Sequence, residues 1–358
     1  MKLNYIRDLG AVRIKRLLDC FGTFENILSA KENELKQVFG IGDKLSREIC
    51  GIDLDVDKEF KKLSDREIEV VTVYDEGYPE NLKSLYDPPF LLYVKGKIIP
   101  DDRYAISIVG TRKPTPYGRS VAGRISYDLS KKNVTVVSGM ARGIDTFAHE
   151  GALKAGGRTI AVLGSGLDVC YPPENRRLLE RIAASGAVIS EYPLSTMPDK
   201  RNFPVRNRII SGLGLGTLVV EAAEKSGALI TADAALEQGR DVFAVPGNIT
   251  SLYSAGTNAL IKQGAALVSG CEDILKEIDC LAGRVDAPGK KSEEGSQISG
   301  LSSNEKKVYD ILSFEPAQID FLSLESGFSI KEISVILMSL EMKGKIDEVQ
   351  GKRYIRRI

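Results

Sequence analysis

Nine short apolar runs, at 70–74, 90–94, 105–109, 134–138, 159–163, 187–190, 217–221, 242–245 and 266–268, constrain this chain more than any other feature. Between them lie amphipathic stretches such as 121–129 and 145–153, long enough to cross from one strand to a parallel neighbour. Runs of this kind alternating with helical patterns predict the α/β class, with a parallel sheet covered on both faces. The expectation over 65–280 is an extended, mostly parallel, Rossmann-like sheet.

The flanks read differently. Residues 1–64 have helical spacing, with Ile14, Leu17 and Leu18 on one stripe and Leu45 and Ile49 on another, and form a small helical domain of helix-hairpin-helix or SAM-like type. Within it, Phe39-Gly40-Ile41-Gly42-Asp43-Lys44 resembles a helix-hairpin-helix turn, where glycines let backbone N–H groups approach a phosphate. A plain αα corner has the same signature, and the acidic stretch 53–69 weighs against contact with DNA. Residues 281–300 have few large apolar groups and read as a flexible linker. Beyond it, the capping boxes Ser302-x-x-Glu305 and Ser329-x-x-Glu332 start two helices. A middle helix through 319–324 and a basic hairpin around Gln350-Gly351 complete an expected winged helix over 301–358.

Composition removes several functions. Lys plus Arg equals Asp plus Glu at 49 each, so no overall field draws the chain to a polyanion and any such site must be local. Five cysteines, an odd number without a C-x-x-C pair, argue against a zinc module or a disulfide framework and fit a reducing cytoplasm. No apolar run is long enough for a membrane span, and the amino-terminal residues do not read as an export signal. No His, Cys or carboxylate cluster has metal-ligand spacing, and no cofactor is expected.

Chemistry concentrates where the strands end. The run 105–109 leads into Gly110-Thr111-Arg112, small residues that expose main-chain N–H groups beside a guanidinium able to grip phosphate with two bonds. This is neither G-x-G-x-x-G nor a Walker loop, and alone it could be a tight turn with a surface arginine. Other strand ends give Ser138-Gly139, Gly164-Ser165-Gly166, the segment from Lys200 and Arg201 through Phe203 to Arg206, Asn207 and Arg208, and Ser226-Gly227-Ala228. Parallel strands place these ends at one edge, so an elongated, positive groove is expected. A Phe among cations is the composition of a single-strand site, where bases stack on a ring and cations follow phosphates. The bland alternatives are a core aromatic at Phe203 and a solvated helix start at Arg206 and Arg208. His149 is expected to be a helix histidine steadying the Gly143-Ile144-Asp145 turn, not a catalytic base.

The blocks Ser107-Ile108-Val109-Gly110-Thr111-Arg112, Ser138-Gly139-Met140-Ala141-Arg142-Gly143-Ile144-Asp145-Thr146-Phe147-Ala148-His149 and Thr159-Ile160-Ala161-Val162-Leu163-Gly164 resemble successive signatures of the DNA-processing protein A (Smf) family. So do Phe203-Pro204-Val205-Arg206-Asn207-Arg208-Ile209-Ile210, Ser226-Gly227-Ala228-Leu229-Ile230-Thr231-Ala232 and Phe243-Ala244-Val245-Pro246-Gly247. The resemblance implies a non-enzymatic homodimer that binds single-stranded DNA with little sequence preference, shields it and loads RecA recombinase in natural transformation. It carries a DNA site onto Gly110, Thr111, Arg112, Ser138, Gly139, Lys200, Phe203, Arg206, Asn207 and Arg208. Arg201 joins them from the same basic run, although Arg142 and Arg201 are more basic than the family pattern.

A subunit contact is expected within 257–268, at Leu260, Ile261 and Leu267, with RecA on an overlapping surface. There an apolar sheet edge needs a cover that the helical pattern at 271–277 could also supply. Two other readings stand beside this one. Gly214-Leu215-Gly216-Thr217-Leu218-Val219-Val220-Glu221 resembles part of a nucleoside-monophosphate phosphoribohydrolase site without its Pro-Gly-Gly opening; Glu221 could equally be a carboxylate paired with a basic neighbour. Lys343, Lys345, Lys352, Arg353, Arg356 and Arg357 would suit a duplex-binding regulator acting through the winged helix.

Overall fold

The computed structural model describes residues 1–282, 301–312, 316–349 and 351–356. The chain opens with five helices, α1 (Gly10–Phe21), α2 (Phe24–Ser29), α3 (Glu32–Leu35), α4 (Asp43–Cys50) and α5 (Val56–Ser64). Thr23 caps α2 and Asp55 caps α5, each side chain accepting a first-turn N–H. The first four close on their own core of Ile14, Leu17, Ile27, Leu35, Leu45 and Ile49, so the apolar stripes of α1 and α4 meet as expected.

Nine strands follow: β1 (Ile68–Thr72), β2 (Leu91–Gly96), β3 (Ala105–Val109), β4 (Thr135–Ser138), β5 (Thr159–Val162), β6 (Ala187–Ser190), β7 (Gly216–Val219), β8 (Asp241–Ala244) and β9 (Ala266–Leu267). They form one sheet in the order β1-β2-β6-β5-β4-β3-β7-β8-β9. Every expected run became a strand, with β1 starting two residues early. The pairings are parallel except that β2 runs antiparallel to both β1 and β6.

The helices are α6 (Glu80–Lys83), α7 (Pro116–Lys131), α8 (Ile144–Lys154), α9 (Arg176–Ser185), α10 (Asn202–Leu213), α11 (Gly227–Glu237), α12 (Ala255–Lys262), α13 (Cys271–Glu277) and α14 (Asp279–Ala282). Alternation along β3 sets the two layers: Ala105 and Val109 pack with α10 and α11, while Ile106 and Ile108 pack with α7 and α8. Helices α7 and α8 approach closely because Gly151 faces the backbone of Gly123, where any Cβ would collide. The order reverses at β3. From it the chain steps outward through β4, β5 and β6, then returns to β7 on the other flank, which opens a crevice beyond the carboxyl ends of β3 and β7.

Leu281 is buried within α14, so helix continues into the start of the expected linker; residues 283–300 lie outside the described residues. A winged helix follows, made of α15 (Ser303–Ile311), β10 (Ala317–Gln318), α16 (Ile319–Ser326), α17 (Ile330–Met342), β11 (Ile346–Val349) and β12 (Arg353–Arg356), with the sheet order β10-β12-β11. Both capping boxes form, at Ser302 with Glu305 and at Ser329 with Glu332. Gln350, in the expected hairpin, and Arg357 are outside the described residues.

Candidate nucleic-acid interface

At the crevice, β3 gives way to Gly110, where a Cβ would sit 2.6 Å from Ile144 Cγ1, so only glycine lets the loop lie against α8. The Thr111 N–H donates to Glu221 O at 2.7 Å and ties this loop to the end of β7. The Thr111 hydroxyl accepts from the Lys113 N–H at 3.2 Å. Arg112 leaves the loop exposed, with its guanidinium 5.4 Å from the Phe203 ring centroid. A cation over a ring face is held there electrostatically, which keeps the fork presented at the edge.

Glu221 is buried in the crevice and, among the described residues, has no basic partner of the kind expected. Its carboxylate accepts from the Thr115 N–H at 2.9 Å and the Thr115 hydroxyl at 2.5 Å, at the start of α7. The positive end of the α7 dipole takes the place of a cation.

Several expected surface groups turn inward. Ser138 is fully buried and its hydroxyl donates to Ile108 O at 2.6 Å. Gly139 is buried beside it, and its carbonyl accepts from Arg206 at 2.7 Å. Arg206 also donates to Val162 O and is only 4% exposed, so it is a strut joining the ends of β4 and β5 beneath the groove. Burial pulls its guanidinium down to about 10. Nearby Asp145 accepts from the Ala141 N–H at 3.1 Å, and burial pushes its carboxyl up to about 6 against the pull of Arg206.

Arg208, two residues further along α10, points to the opposite flank, since two helical steps turn the side chain by roughly 200°. It donates to Asp87 O at 2.6 Å and pairs with Glu191 at 2.5 Å, which removes it from the groove. Asn207 bonds back to Gly227 O at 3.4 Å. Arg201 is exposed but paired with Asp199 at 2.8 Å, and Arg142 with Glu174, so each of these two arginines has a carboxylate at hand. Lys200 is exposed.

Phe203 is neither a core residue nor fully open. It is half-buried, with Arg112 at 5.4 Å and Arg206 at 5.9 Å from its centroid, and Tyr171 beside it at 5.9 Å and 34°. Tyr171 was not anticipated. The only hint was a ring next to Pro172 and Pro173 at the end of the loop that begins with Gly164.

His149 does not steady the turn at 143–145. Its Nδ1–H donates to Thr159 Oγ1 at 2.7 Å, because that hydroxyl donates onward to Val136 O at 2.7 Å, and so it locks α8 to the middle of the sheet. Burial pulls its pKa down to about 3, and Nε2 has no partner among the described residues. Of the three residues expected at a subunit contact, Leu260 is buried in the core and Ile261 packs against it, because α12 turns that face onto the sheet. Leu267 remains 49% exposed. Among the described residues there is no group of three metal-capable side chains and no helix long and apolar enough to cross a membrane.

These elements define a doubly wound, Rossmann-like protein whose switch edge carries an exposed guanidinium and two rings. The chain belongs to the DNA processing protein A family. Residues 69–279 match the family model described as DNA recombination-mediator protein A, and residues 292–352 match the DprA winged helix domain. Protein Smf of Synechocystis sp. is 35% identical over 99% of this chain and 97% of its own length. The X-ray structure of DNA processing protein A from Streptococcus pneumoniae aligns with a TM-score of 0.67 and 36% identity, covering 78% of this chain and 96% of that one. DNA processing protein A from Helicobacter pylori, described for its single-stranded DNA binding mode, aligns with a TM-score of 0.53 and 31% identity over 59% and 95% of the two chains.

Proposed function

We propose that this protein binds single-stranded DNA along the switch edge of its sheet, shields it, and hands it to RecA recombinase in the cytoplasm without catalytic turnover. The observation that carries the reading is Arg112 held over Phe203 with Tyr171 alongside, a cation and two rings at the mouth of the crevice. Bases stack on Tyr171 and pack against the free edge of Phe203, while Arg112 and Lys200 meet phosphates. The Helicobacter pylori relative, named for single-strand binding, supports the same substrate; transfer to RecA and a homodimer built around Leu267 are part of the proposal, the first on the resemblance and the second also on Leu267 being 49% exposed.

The hydrolase reading loses its acid, since both oxygens of Glu221 are engaged at Thr115. The duplex reading is weakened by α17, whose outward face carries Val335, Met338 and Met342 where a groove-reading helix would carry polar groups. Fluorescence anisotropy of the full chain on single-stranded and duplex oligonucleotides tests the proposal. Preference for the single strand, reduced by Tyr171→Ala, is expected; equal affinity for both forms sinks it. RecA filament assembly on single strands, with and without the protein, tests the handover, and sedimentation at tens of micromolar tests the dimer.

A further inference from the structure

The helix-hairpin-helix-like turn is unused by this reading, yet it stands across a groove from the DNA edge. Phe39, at its tip, is 81% exposed, and the Arg16 guanidinium lies 4.9 Å from its ring centroid. Arg13 and Arg16 hold the turn by donating to the carbonyls of Asp8, Gly40 and Phe39, so their hydrogen bonds do not cancel their charge. Phe39 and Gly40 line a groove of about 1040 Å³ whose facing wall includes Met197, Arg201, Asn202 and Val205.

That wall is the first turn of α10 and the loop before it, the same turn that carries Phe203. Asn202 belongs to both places, lining the groove while donating to Gly164 O at 3.2 Å beside Phe203. The carboxylates of the groove are matched by bases: Asp8 by Lys44, Asp199 by Arg7 and Arg201, and Asp87 and Glu191 by Arg208. An exposed ring with a cation over it, across a groove that shares Asn202 with the Phe203 edge, repeats the composition of the primary site.

We propose that the groove between the helical unit and the sheet carries a second, outboard stretch of the same single strand, with Phe39 as its stacking platform. The inference rests on the single-strand reading above. An acidic peptide could also meet the arginines, but it would use Phe39 as an ordinary apolar contact, which leucine replaces well.

The test uses the full chain and oligothymidylates of about 6 and about 20 nucleotides, one near the lower end of the usual footprint of about 4 to 16 and one longer than its upper end. Phe39 is exposed, so its replacement leaves the fold alone. Phe39→Ala is expected to bind the short strand as wild type does and the long strand about tenfold more weakly, with Phe39→Trp restoring the difference and Phe39→Leu failing to. Phe39→Ala matching wild type at both lengths overturns the inference, and so does full rescue by leucine. If the wild-type chain does not bind even the short strand, the single-strand reading itself falls and takes this one with it.

Discussion

Arg112 shows how much one side chain can be asked to do at an edge otherwise made of backbone. Its fork is exposed, its plane is held by Phe203, and its loop is fixed by Thr111 to the end of β7. Arg112→Ala is expected to weaken single-strand binding by about 1.5 to 3 kcal/mol, the range for hydrogen bonds to a charged group. Arg112→Lys keeps the charge but loses the fork, and should fall between. Wild-type affinity for Arg112→Ala in an anisotropy titration would move recognition elsewhere. The buried pair beneath gives a pH signature. His149 stays neutral in the fold down to about 3 but takes a proton near 6.5 when unfolded, so its share of stability is lost as pH falls through that window. Asp145 acts in reverse: folded, it holds its proton up to about 6, and unfolded it releases it near 3.8, so its share falls as pH rises between them. Relative to wild type, His149→Gln should therefore gain stability as pH drops from 6.5, and Asp145→Asn should lose it as pH drops from 6, both read from urea midpoints. That Arg112 and Phe203 would come together at one edge was legible in the sequence because parallel strands bring their carboxyl ends to the same side of the sheet. Arg206 and Arg208 were misread because a basic run opening a helix looks alike whether its side chains meet solvent, carbonyls or carboxylates.

At the scale of elements, α10 is the part whose role changes most. Its first turn carries Phe203 outward and Arg206 inward, so one helix both presents the edge and braces it. Arg206→Ala should cost about 3 kcal/mol or more in urea unfolding, because it strands two buried carbonyls and leaves Asp145 without its cation. A change within about 0.5 kcal/mol is what a solvated arginine would give, and would contradict the strut. The winged helix should matter less for single strands: Arg353→Ala on β12 is expected to leave their affinity near wild type in the same anisotropy titration. The central strands were legible because strands buried on both faces read as unbroken apolar runs. Their order was not, nor was the reversal of β2, since pairing across the sheet leaves no mark on the local pattern of either strand.

For the whole molecule, balanced charge means that salt acts on the groove alone. The log of affinity should fall with the log of salt by about 0.7 for each phosphate neutralised, so that a few phosphates give a slope of about 2; a slope near ten would require about fourteen, far more than Arg112 and Lys200 can meet. The reversal of strand order at β3 has a consequence in time. A ribosome delivers β3 to β6 in sequence, but Ile106 must also pair with Gly216 on β7, which emerges long after its other neighbour, Val136. Until then β3, fully buried in the finished sheet, is an open apolar edge, the kind that captures another chain. The crevice that holds the candidate site is thus the last seam of the sheet's centre to close during synthesis, and a fragment ending between α10 and β7 should aggregate although it contains Arg112, Phe203 and Tyr171.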